Sequence, residues 1–561
     1  GEFMLVQNTV PRSKSLKIRL ADQAWAWGPG SIFLEGVPFS LRGGRLFAKK
    51  LVDIFLSRVE EKRVPLTIAE FGPGLGFLSL HFMDILKEQN NDVYELTTLR
   101  LIDIDRKMLN PLENSQAFSR HDGRIKFEEM DAAKITGTWN NFLFAFSCNL
   151  IDSFRSRHFH VKNDKLYELQ VSTKIKENSQ LLDTTLDIPR VLDTQGIATL
   201  ISNLSDDHNV LFSKLGTVLE EDFTGVPIES VTDLTKTDKE RLAQFISTIK
   251  IPEEYTFNYC SDIYTHIQTV IDNLSENGIY FASDFGFSNE VVKYEPKNLM
   301  TAYGVTQFCS VCFPLVSHFV KECKSESIIT EHELDQTQDM IIAKGSISTD
   351  LKDRFNTLFS MFDFSDVSNK IEEISVENEL NYVEKLAKIS TLLSSDERED
   401  YYFLKTVGLQ LFAEDHNEKA LEMANKLIHR HQDLGVDAFM IKGWVYQRIN
   451  NHDEAVTYFD KVLDVCENDS IAHASIGVSS IVLGNFEKAI HHFKTAIYYS
   501  RSNEIWQWVF GLAMSYTKNG DIKRGRQLLE FPTKLEPGEL IHPVIQEKFI
   551  QALEPVVQEK S

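Results

Sequence analysis

Apolar positions change their spacing along this chain. In the first half, short apolar runs sit at residues 64–71, 99–105, 125–129 and 142–146. Helical stretches separate them, so they predict strands of a parallel α/β sheet. Phe142-Leu143-Phe144-Ala145-Phe146 lacks polar alternation, the pattern of a central strand covered on both faces. A later strand is expected around Gly278-Ile279-Tyr280-Phe281-Ala282. Leu78, Phe82, Ile85 and Leu86 have helical spacing, and another helix is expected over residues 45–61. Residues 170–255 read as charged helical pieces with Pro-containing loops, an inserted cap over the acceptor side or a plain structural insert. From about residue 346 charged, Ser-containing helical stretches run to Asp400, and an all-helical pattern follows.

The turn after the first run is Glu70-Phe71-Gly72-Pro73-Gly74-Leu75-Gly76. Glycines at alternate positions let a backbone turn sharply and approach a ligand where a Cβ would collide. A dinucleotide fingerprint needs its third glycine at position 77, which is Phe, and a phosphate loop needs Gly-Lys-Ser/Thr, which is absent. An acidic, lysine-free loop suits a cationic ligand without phosphate. It resembles the first motif of class I S-adenosylmethionine (SAM) methyltransferases, so Glu70, Gly72, Gly74 and Gly76 are candidate cofactor-binding residues. Asp103 is the first of the two acids in which the second run ends, 27 residues past Gly76, where an acid can accept from ribose hydroxyls. Asp131 follows the third run, and its resemblance to adenine-contacting acids makes it a further cofactor candidate. Asn149 and Asp152 follow the fourth run, at the strand end where ligands bind. They are the candidate catalytic pair, the alternative being a polar turn that only caps the next helix.

Gly408, Gly443, Gly477 and Gly511 recur at intervals of 35, 34 and 34, with Ala420, Ala455 and Ala489 each twelve residues after a glycine. This period and these small residues identify a tetratricopeptide (TPR) array, in which paired helices approach closely. Four repeats are expected over 401–538, the last degenerate, with a capping helix and tail over 539–561. Such solenoids present a concave face for a protein partner, with Tyr446, Arg448 and Trp508 as groove candidates.

Charge and cysteines narrow the setting. A net charge of −23 disfavours nonspecific binding to nucleic acid or an anionic membrane. No apolar run approaches the roughly 18 residues of a membrane span, and six cysteines without a framework suggest a reducing, cytoplasmic setting. Cys309-Ser310-Val311-Cys312 with His318 and Cys323 has an apolar spacer that reads as a buried strand, so these are expected to be inert thiols with no metal. Gly1-Glu2-Phe3 reads as a cloning scar. Residues 4–63, including Trp25-Ala26-Trp27-Gly28-Pro29-Gly30, are expected to pack on the catalytic domain of 64–345 or to close over its cofactor, and 346–400 forms a helical linker.

Several segments resemble the MidA-like methyltransferases, the complex I assembly methyltransferase family. The family motif Glu-x-Gly-Pro-Gly-x-Gly matches residues 70–76. Its Ser-Asn-Glu-x-x-Asp pattern is similar to Ser147-Cys148-Asn149-Leu150-Ile151-Asp152, with Leu150 in place of Glu and Cys148 inserted. Leu166-Tyr167-Glu168 and the strand through Asp284-Phe285-Gly286 resemble two further motifs, and Gly304 to Phe313 the final hairpin. The resemblance spans about 20–345. It implies a Rossmann-like methyltransferase domain ahead of the all-α TPR solenoid, SAM as cofactor and arginine methylation as the chemistry. There Asp152 would orient a guanidinium and take its proton while Asn149 holds geometry. A catalytically impaired scaffold and a small-molecule methyltransferase are the alternatives.

Overall fold

In the computed structural model, which describes residues 4–23, 44–60, 63–135, 141–205, 210–248, 254–288, 299–303, 306–332, 337–360, 370, 379–501 and 505–529, the apolar runs of the first half form one sheet. Its strands are β1 (Leu66–Phe71), β2 (Thr97–Asp103), β3 (Ile125–Glu129), β4 (Phe142–Cys148), β5 (Leu274–Phe287), β6 (Glu326–Ile329) and β7 (Thr337–Ala343). They pair in the order β6-β7-β5-β4-β1-β2-β3, with β7 antiparallel to both neighbours and the remaining pairs parallel. The chain moves outward from β1 to β3 and then returns to lay β4 on the other side of β1. The carboxyl ends of β1 and β4 therefore flank a topological switch point, where a crevice opens. β4 is buried from Phe142 to Ser147, as its unbroken apolar run demands. β2 stops at Asp103, short of the expected 105, because Asp105 accepts from Lys107 N at 2.9 Å and caps the helix Arg106–Glu113.

The insert carries the expected helical pieces, Thr194–Ser202, Phe212–Val218 and the charged Lys236–Thr248, but it is built on a sheet that was not expected. Lys165–Ile175 pairs antiparallel with Leu219–Pro227 on one edge and with Arg157–Lys162 and Met4–Pro11 on the other, and Glu254–Tyr259 extends Arg157–Lys162. The physical signal is period two: Leu169, Val171, Thr173 and Ile175 are buried while the residues between them are half-buried. Charges on the outward face, such as Lys174 paired with Asp222 at 3.1 Å, give the segment its helical-looking composition. The insert thus begins at Arg157 rather than 170, and the N-terminal strand belongs to this cap sheet rather than to the core. The Trp25–Gly30 stretch lies outside the described residues. The segment expected as a strand at 313–317 is instead the start of the helix Phe313–Glu322, with Pro314 in its first turn and Leu315, Val316, Phe319 and Val320 on its buried side. Cys309 and Cys312 are buried, and burial pushes the Cys312 thiol up to about 12.

The C-terminal half folds as four helix pairs, Tyr401–Ala413 with Asn417–His431, Val436–Arg448 with His452–Val465, Ser470–Val482 with Phe486–Tyr499, and Trp506–Lys518 with Ile522–Leu529. The spaced glycines sit mid-helix, where rings press on them. A Cβ on Gly443 would stand 2.4 Å from Phe459, and one on Gly477 2.8 Å from Phe493. Ala420, Ala455 and Ala489 are fully buried between paired helices. Residues 530–538 and the expected capping helix lie outside the described residues. The groove candidates are engaged in packing: Tyr446 stacks on Tyr458, the Arg448 guanidinium lies 3.7 Å over Phe412, and Trp508 is buried. Among the described residues no helix is long and apolar enough to cross a membrane.

The array is fastened to the α/β domain in two places. One apolar core runs from β1 through the helix Phe77–Gln89 into the first and second repeats. That helix is buried around its whole circumference from Phe77 to Met83, which requires cover on more than one side. The cap hairpin Leu181–Asp183/Arg190–Leu192 meets the third and fourth repeats: Leu182 is buried in their core, Thr184 Oγ1 donates to the Tyr498 carbonyl at 3.2 Å and Lys494 pairs with Asp187 at 3.3 Å.

Two glycine substitutions should shift stability in opposite directions. Alanine is the better helix former by about 1 kcal/mol, yet at Gly443 the Phe459 ring stands in its place and overpacking costs about 1–3 kcal/mol. Gly443→Ala is expected to lower the melting temperature followed by circular dichroism. Gly216, inside the helix Phe212–Val218, has nothing within 4 Å of its would-be Cβ, so Gly216→Ala should raise it. A gain at position 443 would contradict the interhelical contact.

Candidate functional site

The turn after β1 holds three residues in the left-handed region: Gly72 at φ +64°, Gly74 at +57° and Gly76 at +73°. Side chains rarely tolerate this conformation, and space forbids them too. A Cβ on Gly72 would lie 3.2 Å from Leu150 Cδ1, and one on Gly76 2.7 Å from the Phe118 ring. Gly72 N donates to the Ile102 carbonyl at 2.8 Å and Gly76 N to that of Pro73 at 2.8 Å, so the turn is tied to β2 and closed on itself. Such a cradle fits a ligand that needs close backbone approach.

The turn forms one wall of a cleft of about 520 Å³. Ile102, Asp103, Ile104 and Asp105 from the end of β2, and Met130, Asp131, Ala132 and Ala133 after β3, form a second wall. Cys148, Asn149, Leu150, Ser153, Phe154 and Arg155 follow β4, and Asp22, Asp262 and Phe308 complete the lining. Glu70, the three glycines, Asp103, Asp131 and Asn149 are thus brought together around one space.

Glu70 is 2% exposed, its carboxyl bonded to the Ser79 hydroxyl, and burial raises its pKa to about 8. It is therefore mostly uncharged at neutral pH. Asp103 Oδ1 accepts from Asp105 N at 3.1 Å, and burial lifts Asp103 to about 6. Asp131 Oδ1 accepts from Ala133 N at 2.9 Å, and Met130 N donates to the Asp103 carbonyl at 2.8 Å, which folds the turn after β3 against the end of β2.

Asp152 corrects the sequence expectation. It is fully buried, lies outside the cleft lining and faces β5. Its Oδ2 accepts from Phe285 N at 3.0 Å and from Asn149 Nδ2 at 2.8 Å, while its own N donates to Asp284 Oδ1 at 3.1 Å. Burial first, and then the neighbouring Asp284 carboxyl, drives the Asp152 pKa well up, so this pair sits protonated in part. Asp152 is a strut that ties the turn after β4 to β5. Asn149 adopts φ +54°, donates its N–H to the Ser283 carbonyl at 2.8 Å, and stays on the cleft wall.

The sequence reading missed Asp22, Asp262, Phe154 and Phe308. Asp22 is in the helix Leu16–Gln23 and Asp262 opens the helix Ser261–Asn273, each following a strand of the cap sheet. Neither has a local motif, because only the cap topology brings them to the cleft. Leu150 lies within the stretch Ser147–Asp152 already singled out, and Phe154 lies two residues past it. Arg155 is ion-paired with Asp22 at the same cleft.

Comparison with known proteins divides the chain the same way. Residues 46–314 match a family described as "Putative S-adenosyl-L-methionine-dependent methyltransferase", and residues 436–469 match a tetratricopeptide repeat. A search of curated proteins gives no match. Among solved structures the chain is similar to two COG1565 superfamily proteins from Burkholderia thailandensis, one bound to S-adenosyl-homocysteine, with TM-scores of 0.38. Identity to them is 11% and 12%, over 61% of this chain and 89% and 90% of theirs. A MamA crystal structure is similar at TM-score 0.26 and 11% identity, over 34% of this chain and 92% of that one. The match over 46–314 is thus to a family of putative SAM-dependent methyltransferases, and a tetratricopeptide repeat follows it in the same chain.

Proposed function

We propose that the chain methylates a protein side chain, arginine foremost, on a partner recruited through the TPR array. The observation that carries this reading is the charge of the cleft. Asp22, Asp103, Asp105, Asp131 and Asp262 line it beside the largely protonated Glu70, and the one cation among its described lining residues, Arg155, is already paired with Asp22. A space with that balance holds cations and rejects anionic acceptors.

The fit of SAM rests on the positive-φ glycine cradle beside these acids. Gly72, Gly74 and Gly76 would admit it, Glu70 and Asp103 would bind its ammonium and ribose hydroxyls, and Asp131 would face its base. Bound there, SAM supplies an activated methyl group. The residues of this chain then have to orient the acceptor, strip its water and remove a proton. Asn149 and Phe154 border the acceptor space. Asp22 and Asp262 are carboxylates on elements that follow cap strands, and they take the orienting and proton-accepting role that Asp152, turned toward β5, does not fill. Carboxylates suit a guanidinium because they accept its N–H groups in pairs.

A second reading, a cofactor-binding scaffold without transfer activity, has one observation in its favour. Leu150 lines the cleft where the resembling family carries Glu, and Asp152 is buried away from it.

Titration with S-adenosyl-homocysteine tests the cofactor site. Wild type should bind, Gly74→Val should not, and Asp103→Ala should bind about tenfold or more weakly, since hydrogen bonds to charged groups contribute about 1.5–3 kcal/mol. A folded wild type that fails to bind overturns the enzyme reading. Tritiated SAM with cell extract then separates the acceptors: label on arginine of large species supports the proposal, and label only in small molecules overturns it. No transfer in spite of binding leaves the scaffold.

Glu70 gives a prediction in pH. With its pKa near 8 in the free protein, roughly nine in ten molecules carry its proton at pH 7. A cationic ligand alongside favours the carboxylate and pulls the pKa down. SAM binding at pH 7 should therefore release close to one proton, seen as a heat that depends on the ionisation enthalpy of the buffer. Glu70→Gln should abolish that dependence.

A further inference from the structure

The residues on either side of the last cofactor glycine are held by the TPR array. Phe77, which lines the cleft and is 2% exposed, packs on Tyr401 at 4.7 Å and on His431 at 4.8 Å between ring centroids. Both are in the first helix pair of the array. One turn further along the same helix, His81 Nε2 stands 3.1 Å from His431 Nε2, with both rings buried. Tyr401 is fixed in turn, its hydroxyl donating to Asp437 Oδ2 at 2.7 Å.

The other side is reached through Phe118, which presses on Gly76. Phe118 belongs to the four-residue helix Gln116–Ser119. A helix that short cannot sustain itself. Its first two free amides, Gln116 N and Ala117 N, donate to Asp433 Oδ2 at 2.9 Å and Oδ1 at 3.1 Å. Asp433 lies in the turn after the first helix pair, so a carboxylate of the array caps this helix from more than 300 residues away in sequence. Arg120, just beyond, donates to the Arg430 carbonyl at 3.0 Å and pairs with Asp84 at 2.6 Å on the helix that Phe77 opens. The cleft lining contains none of these array residues. Among the described residues they reach the glycine loop through Phe77 and Phe118.

We propose that Asp433, His431 and Tyr401 are positioning residues for the cofactor loop, so that the seating of the first TPR repeat sets the affinity of the methyltransferase site for its cofactor. The proposal rests on the reading of this cleft as a SAM site. Asp433 is the sharpest handle. It is only partly buried, it contributes to no core, and its removal frees two amides whose only described partner is its carboxylate.

The test uses the full chain and S-adenosyl-homocysteine as probe. Asp433→Ala should raise the dissociation constant about tenfold, the loss expected for a helix cap that is charge-assisted. Asp433→Asn, which keeps one accepting oxygen, should recover part of it. Lys494→Ala, at the other contact between array and domain, should leave the constant within twofold of wild type. Hydrogen exchange should quicken at residues 72–80 in Asp433→Ala and stay unchanged in Lys494→Ala, an outcome that general loss of stability would not give. If wild type binds and Asp433→Ala binds within twofold of it, the proposal falls while the cofactor reading stands. If Lys494→Ala weakens binding equally, the specific route through Phe77 and Phe118 falls. If wild type does not bind, the cofactor reading falls and takes the proposal with it.

Discussion

The close approach at Gly76 is the contact on which the site depends. Its backbone takes φ +73° with the Phe118 ring pressed where a Cβ would be. That leaves the turn no room to relax away from the cleft, and Gly72, bonded to β2, fixes its other end. A loop with three left-handed glycines is intrinsically loose, because glycine gains most from unfolding. It becomes a binding surface only when its surroundings determine its shape. The structure does so with aromatic mass: Phe118 on one flank, and Phe77 locked between the α/β core and the first repeat on the other.

The turn after β4 answers the same problem with buried polar groups. Asn149 is held in a left-handed conformation by Asp152 and by the Ser283 carbonyl, and Asp152 by the amide of Phe285. Asp152 Oδ1 and Asp284 Oδ2 are buried without a hydrogen-bond partner. Burial and mutual repulsion disfavour ionisation of both carboxyls at that depth, and a proton on one of them relieves the repulsion. A pair of carboxyls that retains its proton suits a strut better than a general base, which must take up and release a proton at each turnover. The residue type at position 152 told nothing of this, because a strand end fixes where a side chain starts but not which way it turns.

Other features were legible because one physical cause dominated them. The unbroken apolar run of β4 follows from cover on both faces, and the 34-residue recurrence of Gly443, Gly477 and Gly511 follows from rings packed on bare backbone. The glycine turn declared its strained geometry outright. The cap did not, since Lys165–Ile175 sets its period-two burial under charged outward residues, and its partner Met4–Pro11 lies far away in sequence. Asp22 and Asp262 inherit that illegibility: a residue delivered by a non-local sheet carries no local mark. Helix Phe313–Glu322 was misread for a simpler reason. Three apolar residues around one proline, Phe313-Pro314-Leu315-Val316, suit a buried strand or a helical first turn equally, and only the continuation to Phe319 and Val320 decides.

The array is therefore a structural support of the α/β domain. It grips the glycine turn through its first repeat and the cap hairpin through its third and fourth. A solenoid sums small rotations between neighbouring repeats, so a modest change of curvature becomes a displacement between its ends. Here those ends hold two parts of one catalytic domain. The second repeat, between the two attachments, buries Gly443 against Phe459 and shares a core with β1. Because interiors are packed too densely to absorb strain smoothly, these attachments make the array part of the packing that holds the loop and the cap hairpin in place.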